Sequence, residues 1–575
     1  MKVSDYIIEF LYERGTREIF GFAGGAIIHL IDSIYKHGMV KYITTYHEQT
    51  AAIAAEGYSW GSEGKIGVAM ATSGPGATNL ITGIADAFFD SIPVLYITGQ
   101  VNTDEYKYKK KIRQQGFQET DIVSIVKPIT KFAALVDDSR LVKHYLEKAW
   151  YEATSGRKGP VLLDIPMDIQ RADIDVDGLE GFVKPGPQEK VGVDWGKIGE
   201  MITSATRPII LVGAGCRNSK VLDPYINGRA LPVVYSLMGK GSIPDSYEHC
   251  LGMIGSYGIR SANIVLENAD LVLVLGSRLD TRQTGINIQS FISNKKRIIR
   301  VDIDLNELNE HRLAGSVYPV NLPVDDFLSK AVELGIAWNL ADDWLAYIKR
   351  IRGEYGLDKE IEKNIVNKKP YGLMRMLNKS IKGPVLFCAD IGHNQMFAAQ
   401  GIRIERGQEF KTSGGLAPMG FSLPFSIGYS FSTKIKAVSI NGDGGLHISV
   451  QSLMLLSQYN LPVKVVVLNN RSLGMITQFQ NQYFDNLKYG TIEKYDYRVP
   501  RFESLAAAYG LRYFKYDFLN DDVLEKILQD NLPCLIEVDV GDETLVFPKL
   551  EVNMPIGNPN PKLDDLEYGK TRYLP

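Results

Sequence analysis

Residues 440–451, INGDGGLHISVQ, set one carboxylate, Asp443, among Gly442, Gly444 and Gly445, where an apolar run (IKAVSI) gives way to helical spacing. Twenty-seven residues after Asp443 a second apolar run, LPVKVVVL, has ended in Asn469-Asn470. A helix plus one strand is the length of a parallel crossover, so Asp443 and Asn470 are expected at neighbouring strand ends. There they offer one anionic and one neutral oxygen, donors suited to a hard cation such as magnesium whose shell a phosphate completes. The glycines let backbone N–H groups approach a diphosphate, and the N-terminus of the following helix favours its charge. A plain Gly-Asp-Gly turn is the alternative for the loop alone; its pairing with Asn470 favours the site.

Other candidates are weaker alone. Glu48 in YHEQTAAIAAEGY reads as a first-turn helix acid, favoured there by the helix dipole. Gly24 and Gly25 in GFAGGAI permit close backbone approach to a ligand. TSGPGATNL (72–80) is glycine-rich but lacks the lysine of a P-loop, and a tight strand-to-helix turn is the better reading. Gly213-Ala214-Gly215 ends a strand and is a fragment of a dinucleotide fingerprint.

The elements that must position these residues are short β-branched runs alternating with helical patterns: KIGVAMATS, IPVLYITG, GPVLLDIP, RPIILVGAG, ADLVLVLGS, KRIIRVDID, GPVLFCADIG, IKAVSING and LPVKVVVLNN. Such alternation predicts α/β domains with parallel sheets flanked by helices. Many of the runs end at Gly, Asp or Asn, where open α/β sheets place their ligand crevices. The 575 residues suit about three domains. A Gly/Pro-rich stretch at 176–196 and a charged helical stretch at 338–370 read as linkers, dividing the chain into 1–180, 190–335 and 365–545. A Pro/Asn/Gly-rich tail, 546–575, reads as lying outside the core. The first and third blocks share a coarse pattern, GPVLLDIP against GPVLFCADIG, that would fit a duplication.

Basic and acidic residues number 64 and 67, for a net charge of −3, and no segment reads as a basic block that would track nucleic acid. The N-terminal segment carries Asp5, Glu9 and Glu13 within its apolar pattern, which describes an amphipathic helix and not a signal peptide. No apolar run reaches the ~18–20 residues of a membrane span. Cys216, Cys250, Cys388 and Cys534 are scattered without CxxC spacing, as reduced core thiols of a cytoplasmic protein are.

GDG followed by NN at this distance resembles the diphosphate-and-metal signature of thiamine-diphosphate enzymes. Over most of its length the chain is similar to the acetolactate synthase (acetohydroxyacid synthase catalytic subunit) family, through IFGFAGGAI, HEQTAAIAAEGY, TSGPGATNL, DSIPVLYITGQV, GFQETDIV, GPVLLDIP, GSRLDTRQTG, TSGGLAPMGFSLP, GDGG and VVVLNNRSLGMITQFQ. The resemblance implies a pyrimidine-binding first domain, a central FAD-type domain and a diphosphate domain, with thiamine diphosphate, Mg²⁺ and FAD as cofactors. Glu48 would bond the aminopyrimidine, which requires a carboxyl group in a dry crevice. Gly392-His393-Asn394 resembles the Gly-Gln-His that contacts the diphosphate. Met419 and Met475 match methionines that line the cofactor, Ala417 stands where a Gly gives its carbonyl, and Ser472 would offer a backbone carbonyl to the metal beside Asp443 and Asn470. The flavin would lie against Gly213, Ala214, Gly215, Gly276, Ser277, Arg278, Asp280, Arg282, Asp302 and Ile303. With Glu48 in one domain and the diphosphate site in another, the family's site joins two subunits, so a homodimer or homotetramer is expected.

Phe117-Gln118 matches the pair that lines the reacting centre. Related decarboxylases commonly have adjacent histidines in this region; here no two of the eight histidines are adjacent, which favours carboligation over release of an aldehyde. The acceptor wall departs from the family: Met167 replaces a Lys and Phe479 a Trp. Losing a cation weakens the case for a second anionic 2-oxo acid. The sequence therefore predicts decarboxylation of a 2-oxo acid, pyruvate in the first instance, and transfer of the two-carbon unit to pyruvate or to a nucleotide-linked keto-sugar. A simple 2-oxo acid decarboxylase and a non-catalytic assembly paralogue are the alternatives.

Overall fold

The computed structural model describes residues 1–62, 64–186, 192–292 and 297–573. Of the stretch expected to link the first two domains, residues 187–191 lie outside the described residues. Three six-stranded sheets follow one another along the chain. The first holds β1 (Glu18–Gly21), β2 (Lys41–Thr44), β3 (Gly67–Ala71), β4 (Val94–Gln100), β5 (Phe132–Leu135) and β6 (Val161–Pro166). The second holds β7 (Pro208–Val212), β8 (Val233–Tyr235), β9 (Cys250–Met253), β10 (Leu271–Leu275), β11 (Arg297–Asp302) and β12 (Tyr318–Asn321). The third holds β13 (Val385–Ala389), β14 (Gln408–Lys411), β15 (Ala437–Gly442), β16 (Val463–Asn469), β17 (Arg512–Tyr516) and β18 (Cys534–Asp539).

Every ladder is parallel, as the continuous apolar runs require: β3, β4, β7, β10 and β13 are buried along their whole length between helices. The first and third sheets share one strand order, β2-β1-β3-β4-β6-β5 and β14-β13-β15-β16-β18-β17. The middle sheet runs β12-β11-β10-β7-β8-β9, the doubly wound order of dinucleotide-binding folds. Each order has a switch point in its interior, between β1 and β3, between β7 and β10, and between β13 and β15. Ligands bind beyond the carboxyl ends of strands at such switch points.

The first and third domains meet through the helices Glu48–Gly61 and Ser422–Thr433. A Cβ added to Gly57 would collide with the carbonyl oxygen of Phe425, and one added to Gly428 with that of Ala54, so glycine lets the two backbones touch. Below this contact Lys411 Nζ pairs with Asp90 at 2.6 Å, both buried, beside the buried acids Glu56 and Asp86. Burial pushes the pKa of both acids upward, and the charge of Lys411 opposes that rise.

Two stretches differ from the sequence expectation. The charged segment after residue 338 is helical as expected, over Asp342–Tyr355 and Leu357–Asn364, but it packs into the middle domain's core and is no linker there: the fully buried Trp344 stacks on Tyr347 at 5.2 Å. The tail is not outside the core. Ile556 is 1% exposed within the apolar cluster of the middle domain, and Arg260, itself buried, binds Glu360 and donates to the carbonyls of Pro559 (3.0 Å) and Pro561 (2.7 Å). Ile556, with Leu550, Leu563 and Tyr573 packed beside it, covers the middle domain's core, a role that composition does not reveal. All four cysteines are free and buried. No helix among the described residues is long and apolar enough to cross a membrane.

Candidate active site

The register of β15 and β16 sets Gly442 opposite Leu468, so Asp443 and Asn470 emerge side by side. Asp443 Oδ2 accepts the Asn470 N–H at 3.1 Å, and Oδ1 accepts the Gly444 N–H (2.7 Å) and the Tyr497 hydroxyl (2.6 Å). Burial raises the Asp443 pKa, and these three donors oppose the rise. The Asn470 side chain reaches Thr544 (3.1 Å), and its Oδ1 accepts the Ser472 N–H (3.3 Å). The Ser472 carbonyl accepts from Gly474 (2.9 Å) and keeps a second lone pair. No group of three or more His, Cys, Asp or Glu side chains placed to hold a metal ion occurs among the described residues. One carboxylate with amide and carbonyl oxygens is therefore the donor set here, which suits magnesium completed by phosphate oxygens and not a transition metal.

The opposite strand end, beyond β13, supplies Gly392-His393-Asn394. Gly392 has φ +120°, a conformation that glycine tolerates. Asn394 Nδ2 is spent on the carbonyls of Asp390 (2.7 Å) and Ile440 (3.3 Å), tying two strand ends together, while its Oδ1 faces Gly442. His393 is buried and its pKa is lowered to about 4, so it is neutral. The Val546 N–H donates to Gln478 Oε1 (3.1 Å) and Gln478 Nε2 donates to the Val546 carbonyl (3.2 Å), which assigns the Gln478 amide. His393 Nε2 must then donate to Oε1 (2.8 Å), leaving Nδ1 as a bare lone pair. That buried Nδ1 has no partner among the described residues and points to the corner of Asn470 and Gly474. An orphaned polar atom beside the glycine loop is what a bound ligand or its water completes.

The segment TSGGLAPMG is held from both sides. Ser413 donates to Asp86 and accepts the Ala417 N–H (2.9 Å), and Asp90 accepts the Gly415 N–H (2.9 Å). Asp390 accepts the N–H groups of Gly420 (3.1 Å) and Phe421 (2.9 Å); burial pushes it up to about 6 in spite of them. A side chain on Gly445 would collide with Asp390, so this glycine is needed for packing as well as for approach. Ala417 has φ +61°, a left-handed conformation that costs a non-glycine residue about 1–2 kcal/mol. Met419 Cε, Leu473 and the Tyr497 hydroxyl converge on Gly444. Met475 accepts the Tyr257 hydroxyl (3.2 Å), which ties the middle domain to the site.

In the first domain Glu48 opens its helix, capped by His47 Nδ1 accepting the Gln49 N–H (3.1 Å). Glu48 is 6% exposed; its Oε2 accepts from Asn79 (2.9 Å), and its Oε1 lies against Gly76. Gly74 of the same turn lies against Gln118, which has φ +63°. Gly24 packs on Thr72, while Gly25 faces open space. Phe117 is 85% exposed. Met167 starts a short helix after β6, and Phe479 is half exposed against Tyr483 at 4.8 Å. Within the chain the Glu48 helix meets the segment after the Asp443 helix: Thr50 Oγ1 lies 3.0 Å from Ser452 Oγ and accepts from Gln451 Nε2 (3.2 Å).

A cavity of about 650 Å³ opens between the first and middle domains. It is lined by Ala214, Gly215, Gly276, Ser277, Arg278, Asp280, Asp302 and Ile303, all on the middle sheet's carboxyl side. Gly213 and Gly215 cross Gly276 (φ +57°) at the switch point, with the Gly215 N–H on the Gly276 carbonyl at 3.0 Å; any side chain there would separate the strands. Asp280 caps the helix Thr281–Thr284. Arg282 lies beside a smaller adjoining cleft. Asp302 is held by Arg157 (2.9 Å), which also binds Asp304 (2.8 Å).

Sequence reading missed Tyr497, Asn79 and Arg157, because nothing in their local spacing marks them. It also passed over Lys107–Arg113, KYKKKIR, a run with five cations whose composition alone could have shown it.

Comparison with known proteins follows the same three-part division. Residues 1–125 match the thiamine pyrophosphate enzyme N-terminal TPP binding domain, 196–329 the central domain, and 390–538 the C-terminal TPP binding domain. The chain is 32% identical over 561 residues to an acetolactate synthase large subunit of Lactococcus lactis subsp. lactis (strain IL1403), covering 96% of this chain and 94% of the relative. It is 33% identical over 556 residues to the acetolactate synthase isozyme 1 large subunit of Escherichia coli (strain K12), covering 95% of each. It is 32% identical over 569 residues to the chloroplastic acetolactate synthase of Arabidopsis thaliana, covering 96% of this chain and 83% of the relative.

Proposed function

Because this chain belongs to the acetolactate synthase family of thiamine pyrophosphate (thiamine diphosphate) enzymes, we infer that it is a carboligase, joining the two-carbon unit of a decarboxylated 2-oxo acid to a carbonyl acceptor. The carrying observation is the Asp443–Asn470 strand-end pair with the orphaned His393 Nδ1 beside it, in a chain that also buries Glu48 at a helix start. In this reading Asp443, Asn470 and the Ser472 carbonyl hold Mg²⁺, and Gly442, Gly444, Gly445 and His393 face the diphosphate. Met419, Met475 and the Ala417 carbonyl support the rings, and FAD occupies the cavity between the first two domains. Thiamine diphosphate, when bound, supplies a nucleophilic carbon that stores the electron pair released by decarboxylation.

This chain's own groups do the remainder. Glu48 holds and passes a proton at its carboxyl, kept from water by burial and oriented by Asn79. Phe117 and Gln118 flank the acceptor. The C1–C2 bond of the 2-oxo acid breaks and carbon dioxide leaves. The retained electron pair bonds C2 to the acceptor carbonyl carbon, and the acceptor oxygen takes a proton, with no net oxidation. The exposure of Phe117 supports a homodimer in which each subunit completes the other's site.

The test is turnover of labelled pyruvate with an acceptor by wild type and by Glu48→Gln, with products identified by mass. The variant should retain thiamine diphosphate and lose turnover by about 10²-fold or more. Undiminished pyruvate consumption in it would sink the mechanism, and acetaldehyde as the sole wild-type product would select a decarboxylase. A yellow purified protein that releases FAD on denaturation tests the flavin assignment.

A further inference from the structure

After β4 the chain makes an excursion from Thr103 to Gln118 that carries Lys107, Lys109, Lys110, Lys111 and Arg113 with no acid between them, the exposed Asp104 and Glu105 standing just before. Among the described residues none of the five forms an ion pair. Lys107 Nζ binds only the Arg113 carbonyl (3.2 Å) and Lys110 Nζ the Gln115 amide oxygen (2.5 Å), and all but Lys107 are exposed. The excursion is nevertheless built. Glu119, 6% exposed, accepts the N–H groups of Lys107 (2.9 Å), Gln115 (2.6 Å) and Gly116 (3.3 Å), so one buried carboxylate closes its neck and turns the cations outward. At its start, Thr103 N–H (3.0 Å) and hydroxyl (2.5 Å) dock on Asp168, the residue after Met167. At its end lies Gln118 against Gly74, one turn from Glu48.

The cationic run therefore hangs between the two positions that face the acceptor, Met167 and Phe117-Gln118. No cation stands at Met167 itself. Position 167 carries no charge while cations are concentrated on the neighbouring loop, which suits an acceptor whose ketone is neutral and whose anionic group lies some distance away. Five unpaired cations attract a multiply charged group over about a Debye length, ~8–10 Å in ordinary buffer, far more strongly than a monoanion.

We propose that the Lys107–Arg113 loop docks a phosphate or diphosphate group of the acceptor, so that the ligated ketone is a phosphorylated or nucleotide-linked sugar and not a second pyruvate. This rests on the carboligase reading above. The bond changes are those already described: pyruvate loses carbon dioxide, its C2 bonds to the sugar's ketone carbon, the ketone oxygen takes a proton, and the phosphate is not transferred.

The test uses the holoenzyme with labelled pyruvate and matched acceptors: dihydroxyacetone, dihydroxyacetone phosphate, a uridine-diphosphate-linked 4-ketohexose, and pyruvate itself. The expected result is a kcat/KM at least ~10-fold higher for a phosphorylated acceptor than for its neutral counterpart, falling as salt rises. The two phosphorylated arms distinguish a sugar phosphate from a nucleotide-linked sugar. In K109Q/K110Q/K111Q/R113Q the KM for that acceptor should rise ~10-fold with kcat little altered, and K109R/K110R/K111R should restore it. Equal use of neutral and phosphorylated acceptors, or an unchanged KM in the neutralised variant, overturns the proposal. So does a neutralised variant that sediments as a monomer while wild type is a dimer, since the loop would then be a subunit contact. If no acceptor yields a ligated product, the carboligase reading fails instead. Calorimetric binding of uridine diphosphate, expected in wild type and lost in the neutralised variant, still judges the loop; binding unchanged by neutralisation would refute its role.

Discussion

Tyr497 and Asp443, 54 residues apart, share a 2.6 Å hydrogen bond in which the phenol donates to the carboxylate oxygen nearest the glycine loop. Asp443 is thus a buried acid satisfied by three neutral donors and by no cation. Its charge is a cost to the cofactor-free fold.

Replacing Asp443 by Asn separates these roles. The cofactor-free variant should melt close to wild type, because the loss of a desolvated charge offsets the hydrogen bond lost where the amide NH2 faces a backbone N–H. The stabilisation that thiamine diphosphate and Mg²⁺ confer, about 2.7 kcal/mol at ~100 times the Kd, should disappear. Thermal scans with and without cofactor measure both effects, and a full cofactor-dependent gain in D443N would remove Asp443 from the metal site.

Gly57→Ala and Gly428→Ala should each destabilise the contact of the first and third domains by about 1–3 kcal/mol, since the added methyl meets a backbone carbonyl that cannot swing aside. Gly353→Ala is the control. It lies in a helix with open space around it, where alanine is worth up to ~1 kcal/mol of stabilisation. Denaturation midpoints that moved alike for all three would refute the packing argument.

Asp164 is fully buried between Thr98 (2.7 Å) and Gln100 (2.9 Å), and burial raises its pKa to about 7. A raised folded-state pKa means that the native protein holds a proton the unfolded chain has released. The associated stability is complete below about pH 4 and is lost as pH rises through about 7. Asp164→Asn, donating to Thr98 and accepting from Gln100, should flatten that fall and raise the melting temperature at pH 8. Parallel pH–Tm curves for the two proteins would contradict it.

Arg260 is fully buried and satisfies Glu360, 4% exposed, together with two carbonyls of the C-terminal segment. Arg260→Met strands a buried carboxylate and should cost about 3–5 kcal/mol, while R260M/E360L should regain much of that loss. Limited proteolysis near residues 557–561, faster in the single variant than in the double, reports the release of the segment. Equal stability of single and double variants would argue against a buried ion pair.

Legibility differed between elements for physical reasons. β3, β4, β7, β10, β13 and β16 were visible as unbroken apolar runs because a parallel sheet between two helix layers buries both faces. The Asp443–Asn470 pairing was legible because one crossover separates them, and a right-handed crossover returns to an adjacent strand or nearly so. The tail misled because Pro and Asn were read as solvent-loving, whereas the carbonyls of Pro559 and Pro561 serve the buried Arg260. The stretch at 342–355 misled in the same way, its charges lying on one helix face and Trp344 on the other.

By itself the sequence determined what depends on local order: the strand runs, the strand-end glycines and acids, the three-part division, and the family to which these motifs point. Tertiary structure decided what long-range packing sets. It placed Tyr497 on Asp443, and it laid Lys411 among three acids more than 300 residues away. It also assigned the tautomer of His393 through Gln478, and hung the Lys107–Arg113 loop between Met167 and Gln118. No periodicity encodes such contacts, because each arises only when separate sheets bury their faces against one another and the remaining polar groups must find partners.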